Sequence, residues 1–166
     1  MYQRYLIQTI TVGTATASID FTSIPATYTD LCLKVSARSS VSSTMAYFDL
    51  KFNTSIVGWS GRFLYGTGSA AGSASQAYFG GAMPGANATA STFGNAEIYI
   101  PNYASSNYKS VSIDAVAENN ATLAEEDFNA QLWSNTAAIN AITLFPENSA
   151  NFVTYSSASL YGIRGA

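Results

Sequence analysis

Apolar and polar residues alternate with a period of two along most of this chain, and the three-to-four spacing of an amphipathic helix is nearly absent. Successive side chains on a strand point to opposite faces, so such alternation puts one face of each strand in a core and leaves the other to water or a partner. The cleanest case runs from Asp30 to Arg38, with Leu31, Leu33, Val35 and Ala37 on one side and Asp30, Cys32, Lys34, Ser36 and Arg38 on the other. Phe48, Leu50 and Phe52 repeat it against Tyr47, Asp49 and Lys51; so do Ile98 and Ile100 against Glu97 and Tyr99, and Val111, Ile113 and Ala115 continue it. Residues 4–12, 17–22, 58–65, 127–133, 138–145 and 152–163 are further strand candidates, separated by Ser, Asn, Gly and Pro clusters. The pattern predicts an all-β fold of about eight to ten strands in an antiparallel β-sandwich, jelly-roll-like in its winding. An immunoglobulin-type sandwich is less favoured because Cys32 is the only cysteine. Residues 119–127 could make one helical turn; nothing longer reads as helix.

The 166 residues fit one domain with one core, taken as 1–166. Charged residues make up 10% of the chain, against about 25% in an average soluble domain, and Ser, Thr, Asn, Gly and Ala fill the gap. A net charge of −3 and seven basic residues spread singly argue against nucleic acid and against a polybasic membrane contact. No run approaches the apolar length of a membrane helix. The first twelve residues faintly resemble a signal peptide, but Gln8, Thr9 and Thr11 interrupt the apolar segment and a strand is expected there.

One stretch departs from the rest. Between Arg62 and Glu97 there is no charged residue, and most of residues 66–95 is Gly, Ala, Ser, Thr and Asn. It reads either as a long loop or pair of weak strands, or as a contact surface on which small residues allow close backbone approach while Tyr78, Phe79, Met83 and Phe93 act as anchors.

Catalytic chemistry finds little to work with. The absence of histidine removes the commonest general base and metal ligand, and with them the usual serine and cysteine triads. Neither a Gly-x-Gly-x-x-Gly turn nor a phosphate-binding loop is present. Two carboxylates could still serve a glycoside hydrolase, but Glu125, Glu126 and Asp127 are adjacent and read as a solvated turn, while Glu97, Asp114 and Glu118 read as surface or rim charges. Glu118-Asn119-Asn120 fits no calcium loop. The Asn-x-Ser/Thr triplets at Asn53, Asn87 and Asn120 would matter only in a eukaryotic secretory pathway. A non-enzyme without cofactor or metal is the expectation. Aromatic faces could stack on sugar rings, with Trp59 and Tyr65 as the candidates and Trp133 assigned to the core.

The segment Phe21-Thr22-Ser23-Ile24-Pro25-Ala26-Thr27-Tyr28-Thr29-Asp30-Leu31, followed by the strand ending at Arg38, resembles the opening of small β-rich virion proteins of tailed bacteriophages, including marine and cyanobacterial ones. Ile98-Tyr99-Ile100-Pro101-Asn102-Tyr103 and Ser159-Leu160-Tyr161-Gly162-Ile163 look like recurrent strands of the same proteins. The resemblance implies a jelly-roll-like sandwich, often trimeric, that decorates the outside of a capsid or belongs to a tail or head fibre. The expected function is therefore a capsid decoration or cement protein at the virion surface, bound to the major capsid protein. The alternative is a receptor- or carbohydrate-binding fibre module that meets a host glycan.

Overall fold

The computed structural model describes residues 2–119 and 124–165. Every regular element in it is a strand: β1 (Tyr2–Thr11), β2 (Ile19–Phe21), β3 (Asp30–Ala37), β4 (Met45–Phe52), β5 (Trp59–Gly66) and β6 (Ala71–Ala74) in the first half. β7 (Phe79–Pro84), β8 (Gly94–Ile100), β9 (Lys109–Glu118), β10 (Ala124–Trp133), β11 (Ile142–Pro146) and β12 (Ser157–Gly165) follow. Ten of these twelve answer to the alternating segments of the sequence. The two additional ones, β6 and β7, lie in the neutral 66–95 stretch, which is thus resolved as weak strands joined by loops.

All pairings are antiparallel and form two sheets, one ordered β1-β12-β3-β8-β9-β10-β5-β6 and the other β2-β11-β4-β7. β1 pairs with β12, β2 with β11, β3 with β8 and β4 with β7. The first four strands thus run back against the other four as one long double arm, rolled so that successive pairs alternate between sheets. This is jelly-roll winding. β9, β10, β5 and β6 are additions that extend the larger sheet past β8.

The alternation does what period-two patterning requires. Leu31, Leu33, Phe48, Leu50, Phe52, Ile98, Ile100, Ile142, Leu144 and Leu160 point between the sheets and are completely or almost completely buried. Burial of each such side chain contributes about 2 kcal/mol. Phe52 packs at 4.7 Å between ring centroids on Trp59 and meets Trp133 edge-on at 5.5 Å. Lys109 closes that end of the core: its Nζ donates to the carbonyl of Ser105 at 2.8 Å and lies 6.0 Å from the Trp133 ring centroid, and burial lowers its pKa.

β10 departs from the usual polarity. Glu125, Asp127, Asn129 and Gln131 point inward and are buried, whereas Glu126, Phe128, Ala130 and Leu132 point outward. The solvated turn expected at Glu125 to Asp127 is therefore wrong, and the part of the expected helical turn from Ala124 to Asp127 is strand; residues 120–123 lie outside the described residues. The physical reason is the edge of the smaller sheet. β7 pairs only with β4, so its other side presents unpaired backbone groups inside the protein. Asp127 Oδ2 accepts from the Ala82 amide at 2.8 Å, and Gln131 Nε2 donates to the Gln76 carbonyl at 3.1 Å. The Asp127 side chain thus does for the Ala82 amide what a neighbouring strand would otherwise do, and Gln131 reaches the chain just before β7.

Candidate functional site

Four connections cross between the sheets at one end of the sandwich: residues 12–18, 38–44, 85–93 and 147–156. The register brings them together, since Thr11 faces Ser157, Ser157 faces Ser36, Ala37 faces Gly94 and Met45 faces Pro84. Backbone hydrogen bonds then knit loop to loop. Tyr155 N donates to Val12 O at 2.8 Å, Ser40 N to Asn151 O at 2.9 Å, Ala86 N to Val41 O at 2.7 Å and Val153 N to Arg38 O at 3.0 Å.

Only two charged residues occur in these four loops, Arg38 and Glu147. Glu147 lies at the root of its loop, where Gln76 Nε2 donates to its carboxylate at 2.7 Å. The Arg38 side chain is turned inward. Its Nη1 donates to Thr89 O at 2.7 Å and to Thr92 O and Oγ1 at 3.1 Å, and its Nη2 donates to Ala88 O at 2.9 Å and Ala86 O at 3.2 Å. One guanidinium therefore holds the 85–93 loop against the sheet ends while contributing almost nothing to the outer surface. What remains outside is a pole of Ser, Thr, Ala, Asn and Gly with Tyr155 standing 76% exposed.

The anchors expected in the neutral stretch divide. Phe79 and Met83 are each 1% exposed and belong to the chain's own core, so as partner-binding residues they are corrected: β7 lies between the sheets, and a partner could reach them only by parting those sheets. Tyr78 is half-buried and stacks on Phe145, with 6.5 Å between ring centroids. Phe93 is half-buried at the end of the 85–93 loop and so borders the pole. The glycan-stacking candidates are also occupied. Trp59 is held by Phe52 and Trp133 and donates from Nε1 to Ser55 O at 3.3 Å; Tyr65 packs on Phe63 at 5.8 Å and lies against Gly72. Both side chains are half-buried.

The inward side of β10 forms a second polar concentration. Burial first, then repulsion from Glu147, raises Asp49 to about 7; burial, together with Glu125, raises Asp127 to about 7 as well. Burial and Glu125 also push the Tyr47 phenol up. Asp49 Oδ1, Asp127 Oδ1, both side-chain polar atoms of Asn129 and Gln131 Oε1 have no hydrogen-bond partner among the described residues. Among those residues no group of three or more His, Cys, Asp or Glu could hold a metal ion, and no helix is long and apolar enough to cross a membrane. Asn119 of the weak calcium candidate is buried, and Asn120 lies outside the described residues.

The outward side of the same strand belongs to a groove on the extended sheet, lined by Tyr99, Ser112, Asp114, Phe128, Ala130, Arg62 and Leu64 among others. None of these was singled out from the sequence as a binding residue. The signal was the parity of β10, with Phe128 and Leu132 sharing a face opposite Asp127, Asn129 and Gln131.

No protein-family model matches the chain. No curated protein is significantly similar to it.

Proposed function

We propose that this chain is a structural protein of a tailed-phage virion, a decoration or cement protein that sits on the outer capsid surface and meets the major capsid protein through its uncharged pole. The observation that carries the reading is the pole itself: four loops, bonded to one another and pinned by Arg38, with no exposed charge at the tip. A surface of small side chains lets two backbones approach, and hydrogen bonds and packing at short range replace ion pairs. Because the loops are already tied together, little conformational freedom remains to be lost on docking. The jelly-roll frame and the sequence resemblance to virion proteins are consistent with this use, although a fold alone decides no function. Assembly as a homotrimer follows from the same resemblance.

Copy number in purified particles, measured by quantitative mass spectrometry against the major capsid protein, is the first test. A ratio comparable to the capsid protein supports decoration. A small fraction points to a tail or fibre module, and absence from particles overturns the reading. Rebinding to stripped capsids tests the pole directly. Binding should change little between about 0.1 and 1 M salt, because screening acts on charge pairs. Ala86→Glu and Ala90→Glu, both at exposed pole positions, should abolish it.

A further inference from the structure

The extended half of the larger sheet has no second sheet outside it, and its outer face has a definite relief. Cross-strand register aligns Glu97, Asp114, Phe128 and Leu64 in one row across β8, β9, β10 and β5. The adjacent row reads Tyr99, Ser112, Ala130 and Arg62. Small side chains in the middle of the second row, between a phenol and a guanidinium, leave a groove of about 890 Å³ walled by the larger residues of both rows. Four strands at about 4.8 Å spacing make it roughly 14 Å long.

The chemistry of the walls is mixed in a particular way. Phe128 is 52% exposed and Leu64 60%, so the floor has an apolar side. Around it stand a carboxylate, a guanidinium and hydroxyls. Asp114 takes no part in the ion pairs of the described residues, which join Glu97 to Arg4 and Lys34. Arg62 donates from Nη1 to Gly61 O at 2.8 Å, leaving its other N–H groups for the groove. Tyr99 is fixed in place: its hydroxyl donates to Asp30 Oδ2 at 2.9 Å, and Asp30 is itself held by the Asn102 amide at 2.9 Å. The Tyr99 wall is thus set before a ligand arrives.

We propose that this groove binds a neutral oligosaccharide. A pyranose ring has an apolar face ringed by hydroxyls, which complements Phe128 and Leu64 flanked by Asp114, Ser112 and Arg62. No excess of positive charge invites a phosphate or other anion, since Arg62 is offset by Asp114 and Glu97 is paired with Arg4 and Lys34. An extended peptide that adds to a sheet needs an edge strand, and β8, β9, β10 and β5 are all interior. A second copy related by a twofold axis would set the same concavity against itself and leave it unfilled.

The test uses the full chain and a panel of neutral probes, namely malto-, cello-, xylo- and chito-oligosaccharides of two to four sugars, followed by saturation-transfer NMR and calorimetry. At least one probe should bind with a millimolar or tighter dissociation constant. Phe128→Ala should weaken it about tenfold or more, the scale of one lost aromatic contact. Asp114→Asn should weaken it as well, while Trp59→Phe leaves it unchanged. Phe128 is half-exposed, so its variant should fold, and its melting temperature checks that. Binding by no member of the panel, or binding indifferent to both groove variants, overturns the proposal. So does a sedimentation profile in which Phe128→Ala dissociates an oligomer, because the groove would then be a subunit interface. Retention on stripped capsids, measured with the same variants, should stay unchanged, so failure of the sugar site and failure of the decoration reading are separately visible.

Discussion

Raising the pH from 5 to 8 should destabilise this protein, and Asp127→Asn should remove a large part of that loss. Asp127 is completely buried on β10, accepts the Ala82 amide through one oxygen, and lies against the Glu125 carboxyl, which favours its protonated form. Its folded pKa of about 7 stands against 3.8 for the free side chain, and Asp49 beside Glu147 is shifted to the same value. In the unfolded chain both ionise near the free value, so between pH 4 and 7 the folded state binds more protons and stability falls as pH rises. The penalty is absent below about pH 4 and complete above pH 7. At about 1.4 kcal/mol per pH unit, each carboxylate costs roughly 4 kcal/mol at the limit, and more than half of that falls between pH 5 and 8. Because Asp127 and Glu125 repel each other, the figure belongs to the pair. For a chain of this length the loss per carboxylate lowers Tm by roughly 5–10 °C. With no histidine present, few other groups titrate in that window. Thermal melts followed by circular dichroism from pH 5 to 8 are the assay. Asp127→Asn keeps an oxygen for the Ala82 amide and discards the charge, so its melting curve should fall about half as far over the same range. Asp127→Ala discards the charge as well but removes the acceptor, so relative to Asp127→Asn it should cost about 1–3 kcal/mol at every pH. A wild-type Tm that is flat or rises with pH, or an Asp127→Asn protein that keeps the full slope, would refute the reasoning.

Arg38→Ala should destabilise the chain by about 3 kcal/mol in urea unfolding, because the carbonyls of Ala86, Ala88, Thr89 and Thr92 all lose their shared donor. The pole loops should then exchange amide hydrogens faster than the sheets do. Gly61→Ala should be more damaging than its size suggests: a Cβ there would lie 2.3 Å from the Gln76 carbonyl oxygen and 2.1 Å from Gln131 Oε1, so a backbone segment would have to shift, and a Tm within 2 °C of wild type would count against the packing described. Cys32 is fully buried and burial raises its thiol pKa, so a thiol reagent at pH 8 should label it only when denaturant is added.

Residues read as core by alternation alone, such as Leu31, Leu33, Phe48, Leu50 and Ile98, are the ones that fill the space between the sheets, because for an ordinary strand hydrophobic burial and side-chain parity give the same answer. β7 was hidden for a different reason. Phe79-Gly80-Gly81-Ala82-Met83-Pro84 has no alternation to read, since all six residues are buried, and its glycines are required by close neighbours. A Cβ on Gly81 would meet the Ala115 side chain at 2.4 Å, and φ of 127° at that residue excludes most side chains in any case. The same crossing explains β10. A hydrophobic-inside rule applied to residues 124–132 turns Phe128, Ala130 and Leu132 inward, but the register with β5 and β9 that buries Trp133 turns them outward. Which parity wins depends on what lies across the interior, and there it is the free edge of β7, whose Ala82 amide needs a polar partner more than the core needs another phenylalanine. A non-local backbone edge thus sets the polarity of a strand some 45 residues away. The groove follows from that choice: once Asp127 and Gln131 are committed to the interior, Phe128 has only the outer face left, and it stands there beside Asp114 and Leu64.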